Sequence, residues 1–250
     1  FIEKDIMLSI INISAYRFVH LVADVLPILQ VKLKSKTKQL GLKGTILLSS
    51  EGINLFLSGQ REAITSFHCF LNALPYFQDI KFKESLSNFH PFKKMLVKLK
   101  KEIIPFGIDS INPEEYTAPY VSPEQLTIWL KERPDLVLLD TRNTFEVELG
   151  SFENALDLGI KKFRDFPDAV KKLPEKLKKL PIVTFCTGGI RCEKAAAYLL
   201  KVGFEEIYQL EGGILNYFEK CGENHFKGPC FVFDEREKVN SSLENFCQNQ

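Results

Sequence analysis

Cys186 and Arg191 are the residues whose types and spacing are best suited to chemistry. Cys186 ends the apolar run "PIVTFC", and the glycine-bearing turn "TGGI" separates it from Arg191 and a helical stretch. Successive backbone N–H groups of such a turn form a nest for negative charge at a helix N-terminus. A thiol in that environment has its pKa lowered from about 8.5 to roughly 3.5–7.5. The sequence therefore predicts a nucleophilic thiolate at Cys186.

The residues between these two form the predicted active-site loop. They are Thr187, Gly188, Gly189 and Ile190. We expect Arg191 to close the loop, either by hydrogen bonding to its carbonyl groups or by holding an anionic group of a substrate. The alternative is an inert cysteine at the end of a core strand, but such a residue does not need a Gly-Gly turn followed by an arginine.

Cys192 follows Arg191 directly and lies in the first turn of the predicted helix. Packing is the favoured role for this second thiol. A resolving thiol for an oxidised Cys186 is the alternative.

A parallel sheet is the predicted support for this loop. Short apolar runs without alternation are separated by helical stretches, a pattern typical of buried parallel strands in an α/β layer fold. In such a sheet, ligands bind beyond the carboxyl ends of the strands, which is where Cys186 falls. The runs occupy residues 135–140, 155–158, 181–186 and 206–210, after a helix that begins near Ser122.

The N-terminal part has a different pattern, with the order β-α-β-β-α-β. This order predicts a ferredoxin-like domain, in which two helices cover one face of an antiparallel sheet. We expect Pro27 to divide the first helix. The segment 104–121 contains three prolines and no periodicity, and we interpret it as a linker. The predicted elements are strands at 7–14, 79–84 and 94–99, helices at 19–38 and 62–74, and a hairpin turning at 51–52.

Charge is unevenly distributed along the chain, although the net charge is only +1. Residues 1–103 carry 15 Lys and Arg against 8 Asp and Glu, whereas the remainder carries 18 against 24. This asymmetry is consistent with two interpretations: a polyanion as partner of the first part, or solvated lysines on a small domain. The candidate RNA-binding lysines are Lys81, Lys83, Lys93, Lys94, Lys98, Lys100 and Lys101.

Strand alternation places three of these lysines together. Lys94, Lys98 and Lys100 share one face of the predicted strand, and the opposite face is apolar, with Met95, Val97 and Leu99. Exposed lysines suit phosphate contacts, which position RNA without reading its bases. The alternative is an edge strand whose lysines prevent aggregation.

The cysteines and apolar runs limit the class of protein. Six cysteines scattered over 250 residues do not form a disulfide framework, so we expect a cytoplasmic protein. The longest uncharged run near the N-terminus, Ile6–Tyr16, has 11 residues, and a membrane span needs about 20. The spacing of Cys221, His225, Cys230 and Cys247 is not one of the usual zinc patterns, and we predict no metal.

Longer blocks of the chain resemble a known family. "LLDTRNTFEVELGSFENALDL" and "FCTGGIRCEKAAAYLLKVGFEEIYQLEGGILNYFEK" resemble a rhodanese domain, whose cysteine accepts a sulfane sulfur as a persulfide. "EGIN", "PFKKMLVKLKKEII" and "GPCFVFDER" are similar to segments of the rhodanese-like tRNA uridine hydroxylases, oxygen-dependent enzymes that make 5-hydroxyuridine at wobble position 34. The similarity covers nearly the whole chain.

The resemblance implies a domain order and further site residues. It implies a ferredoxin-like, tRNA-binding domain over 1–103 and a rhodanese domain over 122–221, followed by a tail element over 222–250 that we expect to be truncated. Asp140 and Arg142 match the family residues that brace the active-site region. Phosphatases place five residues between the cysteine and the arginine, whereas four separate Cys186 from Arg191, as in rhodaneses.

The expected function is oxygen-dependent hydroxylation of tRNA, with the anticodon stem-loop as partner. Molecular oxygen is the expected co-substrate, and we predict no cofactor, no DNA partner and no membrane partner. Two alternatives stay open. One is a sulfurtransferase that works through a Cys186 persulfide, and the other is a non-catalytic RNA-binding scaffold.

Overall fold

The computed structural model describes residues 10–244. They fall into two compact units that divide between Ile103 and Ile104, here called the N-terminal unit and the C-terminal unit. Among these residues, no helix is long and apolar enough to cross a membrane.

The N-terminal unit is built on one five-stranded sheet. Its strand order is β4-β1-β3-β2-β5. Neighbours in the first four positions are antiparallel, and β5 lies parallel to β2. The elements are β1 (Ile10–Phe18), α1 (Val25–Gln39), β2 (Lys43–Ser49), β3 (Gly52–Gly59), α2 (Arg61–Asn72), β4 (Lys83–Ser87) and β5 (Met95–Leu99). The order 4-1-3-2 with two helices confirms the ferredoxin-like prediction, and β5 extends that sheet by one strand.

Apolar side chains from both helices and from the sheet form a single core in this unit. Leu33 of α1, Phe67 of α2 and Ile46 of β2 have no exposed surface. Burying side chains of this size stabilises a fold by about 1.5–3 kcal/mol each. Packing of both helices against the sheet therefore stabilises this unit.

Two details of the N-terminal prediction were wrong. Pro27 does not divide the first helix, because α1 begins at Val25 and Pro27 lies in its first turn, where the missing N–H has no intrahelical partner. The strand predicted at 79–84 runs instead over Lys83–Ser87. Residues 7–9 of the first predicted strand lie outside the described residues.

The C-terminal unit contains the predicted parallel sheet. Its strand order is β6-β11-β10-β7-β9, and each neighbouring pair is parallel. The α/β prediction is thereby confirmed. The elements are β6 (Tyr120–Val121), α3 (Pro123–Glu132), β7 (Val137–Asp140), α4 (Thr144–Val147), β8 (Ser151–Phe152), β9 (Leu156–Asp157), α5 (Phe166–Val170), β10 (Pro181–Phe185), α6 (Ile190–Lys201), β11 (Glu206–Leu210), α7 (Gly213–Cys221), β12 (Phe226–Lys227), β13 (Cys230–Phe231) and β14 (Lys238–Val239), with 3₁₀ turns at Phe163–Asp165 and Glu175–Lys179.

The central strand β10 is covered on both faces, and all five of its residues are buried. Ile182 packs in a cluster with Leu199 of α6, whereas Val183 and Phe185 pack in a second cluster with Ile214 of α7. Alternate residues of a strand point to opposite faces. A continuous apolar run is therefore what this position in the sheet requires.

Segments at both ends of the C-terminal unit add to its core. Phe106 and Ile111, within the segment interpreted as a linker, are buried, and the Phe106 ring lies 5.1 Å from that of Phe163. In the tail element, Cys230 and Val239 are buried and β12 pairs with β8. The parallel sheet of this unit is therefore packed against both segments. Residues 245–250 of the tail lie outside the described residues.

Candidate active site around Cys186

Cys186 directly follows β10, and α6 begins four residues later at Ile190. Gly189 caps the helix with a φ of 98°, a backbone conformation that favours glycine. This conformation turns the N–H of Gly189 toward the sulfur, so that its nitrogen lies 3.0 Å from Cys186 Sγ. The predicted turn, with a backbone donor aimed at the thiol, is therefore present in the structure.

The loop is also held from behind by the N-terminus of α7. The N–H of Ile214 donates to the carbonyl of Cys186 at 2.9 Å, and the N–H of Leu215 donates to that of Thr187 at 3.1 Å. A Cβ atom on Gly213 would lie 2.4 Å from the Cys186 carbonyl oxygen and 2.8 Å from the Gly189 nitrogen. Gly213, which has a φ of +67°, therefore allows α7 to approach the Cys186 loop.

The Cys186 sulfur is buried, with 1% of the residue exposed. Burial opposes ionisation, but a hydrogen bond with Cys192, the charge of Arg191 and the backbone N–H groups of Arg191 and Gly189 outweigh it. Together they hold the pKa of the Cys186 thiol well below its ordinary value. These interactions favour the thiolate form of Cys186.

Cys192 has more than a packing role. Burial, the hydrogen bond with Cys186 and the negative charge of Cys186 raise the pKa of the Cys192 thiol well above its ordinary value. Cys192 therefore keeps its proton and offers it to the Cys186 thiolate. The Oγ1 atom of Thr141 lies 3.8 Å from Cys192 Sγ and fixes the second thiol in place.

Arg191 forms a buried, two-pronged ion pair with Glu146 of α4. Its Nη1 and Nη2 atoms donate to Glu146 Oε2 at 2.6 Å and to Oε1 at 2.7 Å. Burial disfavours the charged guanidinium, but the hydrogen bond and charge of Glu146 raise the pKa of Arg191. Glu146, rather than the loop carbonyls or a substrate anion, therefore engages both ends of the guanidinium, and Arg191 acts on Cys186 through its charge and its backbone N–H.

Sequence reasoning missed Glu146. The available signal was its place three residues after Asn143, because a glutamate at that position often reaches back to the backbone that starts a helix. Here Glu146 Oε2 accepts the N–H of Asn143 at 3.1 Å. The pairing with Arg191 joins residues 45 positions apart and leaves no trace in local sequence.

Asp140 and Arg142 form a second buried ion pair next to the loop. The Nε atom of Arg142 donates to Asp140 Oδ1 at 2.9 Å, and Nη2 donates to Oδ2 at 2.6 Å. Nη2 also donates to the carbonyl of Gly150 at 2.6 Å, and the Ser151 hydroxyl donates to Asp140 Oδ2 at 2.8 Å. Both charged side chains are fully buried. They tie the end of β7 to the start of β8, which suits the bracing role expected of them.

The tail element lies against the Cys186 loop. The Oγ1 of Thr187 donates to the carbonyl of Phe231 at 3.4 Å, and the guanidinium carbon of Arg191 lies 5.7 Å from the centre of the Phe233 ring. Cys230 is fully buried, and burial raises the pKa of its thiol to about 12. Cys230 is therefore a neutral thiol, unlike Cys186.

No group of three or more His, Cys, Asp and Glu side chains within residues 10–244 is arranged to hold a metal ion. Of the four residues weighed as a zinc site, Cys221 lies beside Thr127 and Cys230 lies beside Thr187. Cys247 is outside the described residues.

The structure separates the seven candidate lysines into two groups within the N-terminal unit. Lys81 and Lys83 lie at β4, on one edge of the sheet, and the other five lie at or beside β5, on the opposite edge. Four strand spacings separate these edges, which is about 19 Å. All except Lys83 are exposed. On β5, Met95 and Val97 pack against the core as predicted, but Leu99 is 41% exposed.

Two family models match the two units. The model described as the UPF0176 acylphosphatase-like domain matches residues 10–103, and the rhodanese-like domain model matches residues 122–220. Fold and site thus define a rhodanese-domain protein with an acylphosphatase-like N-terminal domain. Among solved structures, a rhodanese-like domain from Anabaena is similar to part of this chain, with 22% identity, a TM-score of 0.37 and coverage of 44% of this chain and 79% of that one.

Curated relatives identify the family. A tRNA uridine(34) hydroxylase from Cupriavidus taiwanensis is 52% identical over 95% of this chain and 85% of its own length. The protein of the same name from Bordetella avium is 49% identical over 95% of this chain and 99% of its own length. The chain belongs to the tRNA uridine(34) hydroxylase family.

Proposed function

We propose that this protein hydroxylates C5 of uridine 34 in tRNA, with molecular oxygen as co-substrate and Cys186 as the reactive thiolate. The observation that carries the proposal is the Cys186 sulfur itself. It is buried, it accepts a backbone N–H at 3.0 Å, and its pKa is held low in a chain that belongs to this family. A buried thiolate poised at neutral pH is a group tuned for reaction.

The reaction breaks the C5–H bond and forms a C5–O bond with one atom of molecular oxygen. The second oxygen atom leaves as water, which requires two electrons and two protons. Oxidation of a dithiol reductant to its disulfide releases that number of each, so the proposal names a dithiol as the reductant. The proposal includes no metal or organic cofactor.

The proposed partner is the anticodon stem-loop, which contains position 34. The exposed lysines along β5 support RNA binding, because they present positive charge along a sheet edge without burying it. The proposed place of action is the cytoplasm, where reduced thiols persist.

The first test is complementation of a bacterial strain that lacks its own tRNA uridine(34) hydroxylase and any parallel pathway. We expect the wild-type chain to restore 5-hydroxyuridine-derived nucleosides, measured by mass spectrometry of digested tRNA. Cys186→Ser removes the thiolate and should abolish the product. Cys69→Ser is the matched control, because Cys69 is an exposed cysteine of the N-terminal unit.

Each alternative function predicts a different result. A Cys186→Ser variant that restores the modification as well as the wild type would contradict Cys186 as the reactive thiolate. A wild-type chain that binds tRNA without restoring the modification would indicate a non-catalytic RNA-binding scaffold. A thiosulfate-dependent persulfide on Cys186, with no effect of the protein on tRNA, would indicate a sulfurtransferase. Purified protein supplied with labelled oxygen gas should place the label on C5, and a product labelled from water instead would contradict the use of molecular oxygen.

A further inference from the structure

Three phenylalanine rings form a continuous row beside the Cys186 loop, here called the aromatic row: Phe145, Phe231 and Phe233. The centre of the Phe231 ring lies 5.1 Å from that of Phe145 and 5.0 Å from that of Phe233, and both pairs meet edge to face at 87°. The row joins α4 to the tail element, which are 86 residues apart in sequence at Phe145 and Phe231. It is therefore a product of tertiary folding.

The outer members of the row are unusually exposed for phenylalanine in a folded domain. Phe145 is 46% exposed and Phe233 is 48% exposed. Single exposed apolar residues are common, but two half-exposed rings in contact with the same third ring form a local apolar surface. Contiguous apolar surface of this kind is where a folded protein can bind an apolar face of a ligand.

The aromatic row is continuous with the candidate active site. Phe233 lies against the Arg191 guanidinium at 5.7 Å, Phe231 accepts a hydrogen bond from Thr187 through its carbonyl, and Phe145 directly precedes Glu146, which pairs with Arg191. Each ring is thus one contact away from a residue of the Cys186 loop or its ion pair. A ligand stacked on the row lies beside that loop.

We propose that the aromatic row is the stacking platform for the pyrimidine base on which the enzyme acts; this inference rests on the proposed function. An enzyme that modifies a base ring must take that base out of its stack and replace the lost stacking. Proteins bind unstacked bases on exposed aromatic side chains, and each stacked base contributes an amount comparable to a strong hydrogen bond. The neighbouring Arg191 and Glu146 side chains are paired with each other, and the Arg191 guanidinium lies over the Phe233 ring. The half-exposed Phe145 and Phe233 rings therefore supply the apolar part of this surface, which suits a neutral base.

The experiment uses the full chain and an anticodon stem-loop that carries 5-iodouridine at position 34. Irradiation couples an iodinated base to an aromatic ring against which it stacks. We expect the cross-link, mapped by mass spectrometry of peptides, at Phe145 or Phe233. A cross-link that maps elsewhere, or none in a bound complex, would overturn the inference whether or not the protein hydroxylates tRNA.

Kinetics on unmodified RNA provide the second measurement. Phe233→Leu and Phe145→Leu keep apolar volume but remove the ring, and each should lower kcat/KM for the stem-loop by about 5- to 150-fold, the effect of losing one stacked base. Phe233→Trp should retain activity because it keeps an aromatic face. Tyr116→Leu is the matched control, because Tyr116 is 59% exposed and lies near Lys201 at the far end of α6.

Further readouts separate stacking from indirect effects. The titration of the Cys186 thiolate, followed by its ultraviolet absorbance, should be the same in Phe233→Leu as in the wild type, since the ring does not hydrogen bond to the sulfur. If Phe233→Leu misfolds, Phe145→Leu decides, because Phe145 lies on α4 and not in the tail element. If both Leu variants had the same kcat/KM as the unmutated protein, the stacking platform would be refuted and the hydroxylase proposal would stand. If the unmutated protein had no hydroxylase activity, the hydroxylase proposal would be refuted, and the cross-link would still test the platform.

Discussion

The Cys186 loop and the lysine-bearing edges of the N-terminal unit are built in different ways. The loop is buried and is fixed by backbone donors from two helix N-termini, by a second thiol and by a charge that Glu146 holds in place. Most of the lysines are exposed and lie on two edges of one sheet. Single substitutions should therefore disable the loop, whereas the lysines should contribute in small, separable amounts.

Glu146→Ala should have the largest effect. It leaves the Arg191 guanidinium buried without its carboxylate, and breaking a buried pair in this way costs about 3–5 kcal/mol in the free energy of unfolding. Urea denaturation measures this loss. The matched control is Glu84→Ala, which breaks the exposed pair with Arg61, whose side chains are 52% and 40% exposed, and should cost less than about 1 kcal/mol. Equal losses in the free energy of unfolding for Glu146→Ala and Glu84→Ala would contradict the expected difference between the buried loop and the exposed surface.

Gly213→Ala should also damage the loop severely. A positive φ costs an alanine about 1–2 kcal/mol, and the new Cβ atom would overlap the carbonyl of Cys186, which adds about 1–3 kcal/mol of overpacking. Thermal unfolding and tRNA modification should both decline. Gly203→Ala provides the control, because Gly203 has a φ of +90° and a Cβ atom there would meet no other atom within 4 Å. If Gly213→Ala were no less stable than Gly203→Ala, the Cys186 loop would accommodate the added methyl group without a loss of stability, which would contradict this prediction.

Cys192→Ala should raise the pKa of the Cys186 thiol without unfolding the protein. Its effect arises because the hydrogen bond that favours the thiolate is lost while burial remains. The thiolate absorbance should then appear at higher pH than in the wild type, and Cys192→Ser, which restores a donor, should return it toward the wild-type position. An unchanged titration in Cys192→Ala would show that Arg191 and the backbone N–H groups are sufficient to keep the pKa of the Cys186 thiol low.

The same lowered pKa predicts how stability depends on pH. A thiol whose folded-state pKa lies below its unfolded value stabilises the fold fully above the unfolded value, which is about 8.5, and this contribution disappears as pH falls through the folded-state pKa. Wild type should therefore lose stability relative to Cys186→Ser as pH decreases across that window. A stability difference that does not vary with pH would contradict the thiolate assignment.

Lysine substitutions should have the smallest effect per residue. Replacing Lys94, Lys98 and Lys100 by alanine should weaken anticodon stem-loop binding and reduce the dependence of log affinity on log salt by about 0.7–0.9 per lost phosphate contact. Lys81→Ala with Lys83→Ala tests the opposite edge, which we expect to matter less because it carries fewer lysines. If the affinity of the wild-type protein for the stem-loop did not depend on salt concentration, phosphate contacts by the lysines of either edge would be ruled out.

Much of this protein could be predicted from local sequence. The apolar run before Cys186, the glycine turn and the helix after it are local patterns that predict the loop and its place in a parallel sheet. The order of strands and helices in the N-terminal part predicts the ferredoxin-like domain. Backbone preferences of glycine and the periodicity of apolar residues act over a few residues, so they can be recognised in a linear string.

The distant groups that act on Cys186 became visible only in the folded chain. Glu146 pairs with Arg191 across 45 positions, Gly213 lets α7 reach the Cys186 carbonyl, and Phe233 is brought from the tail element to the Arg191 guanidinium. The sequence favoured a packing role for Cys192, whereas in the structure Cys192 hydrogen bonds to Cys186. The seven candidate lysines lie on two opposite edges of one sheet. These contacts follow from packing between elements far apart in the chain, and local sequence carries no record of such packing.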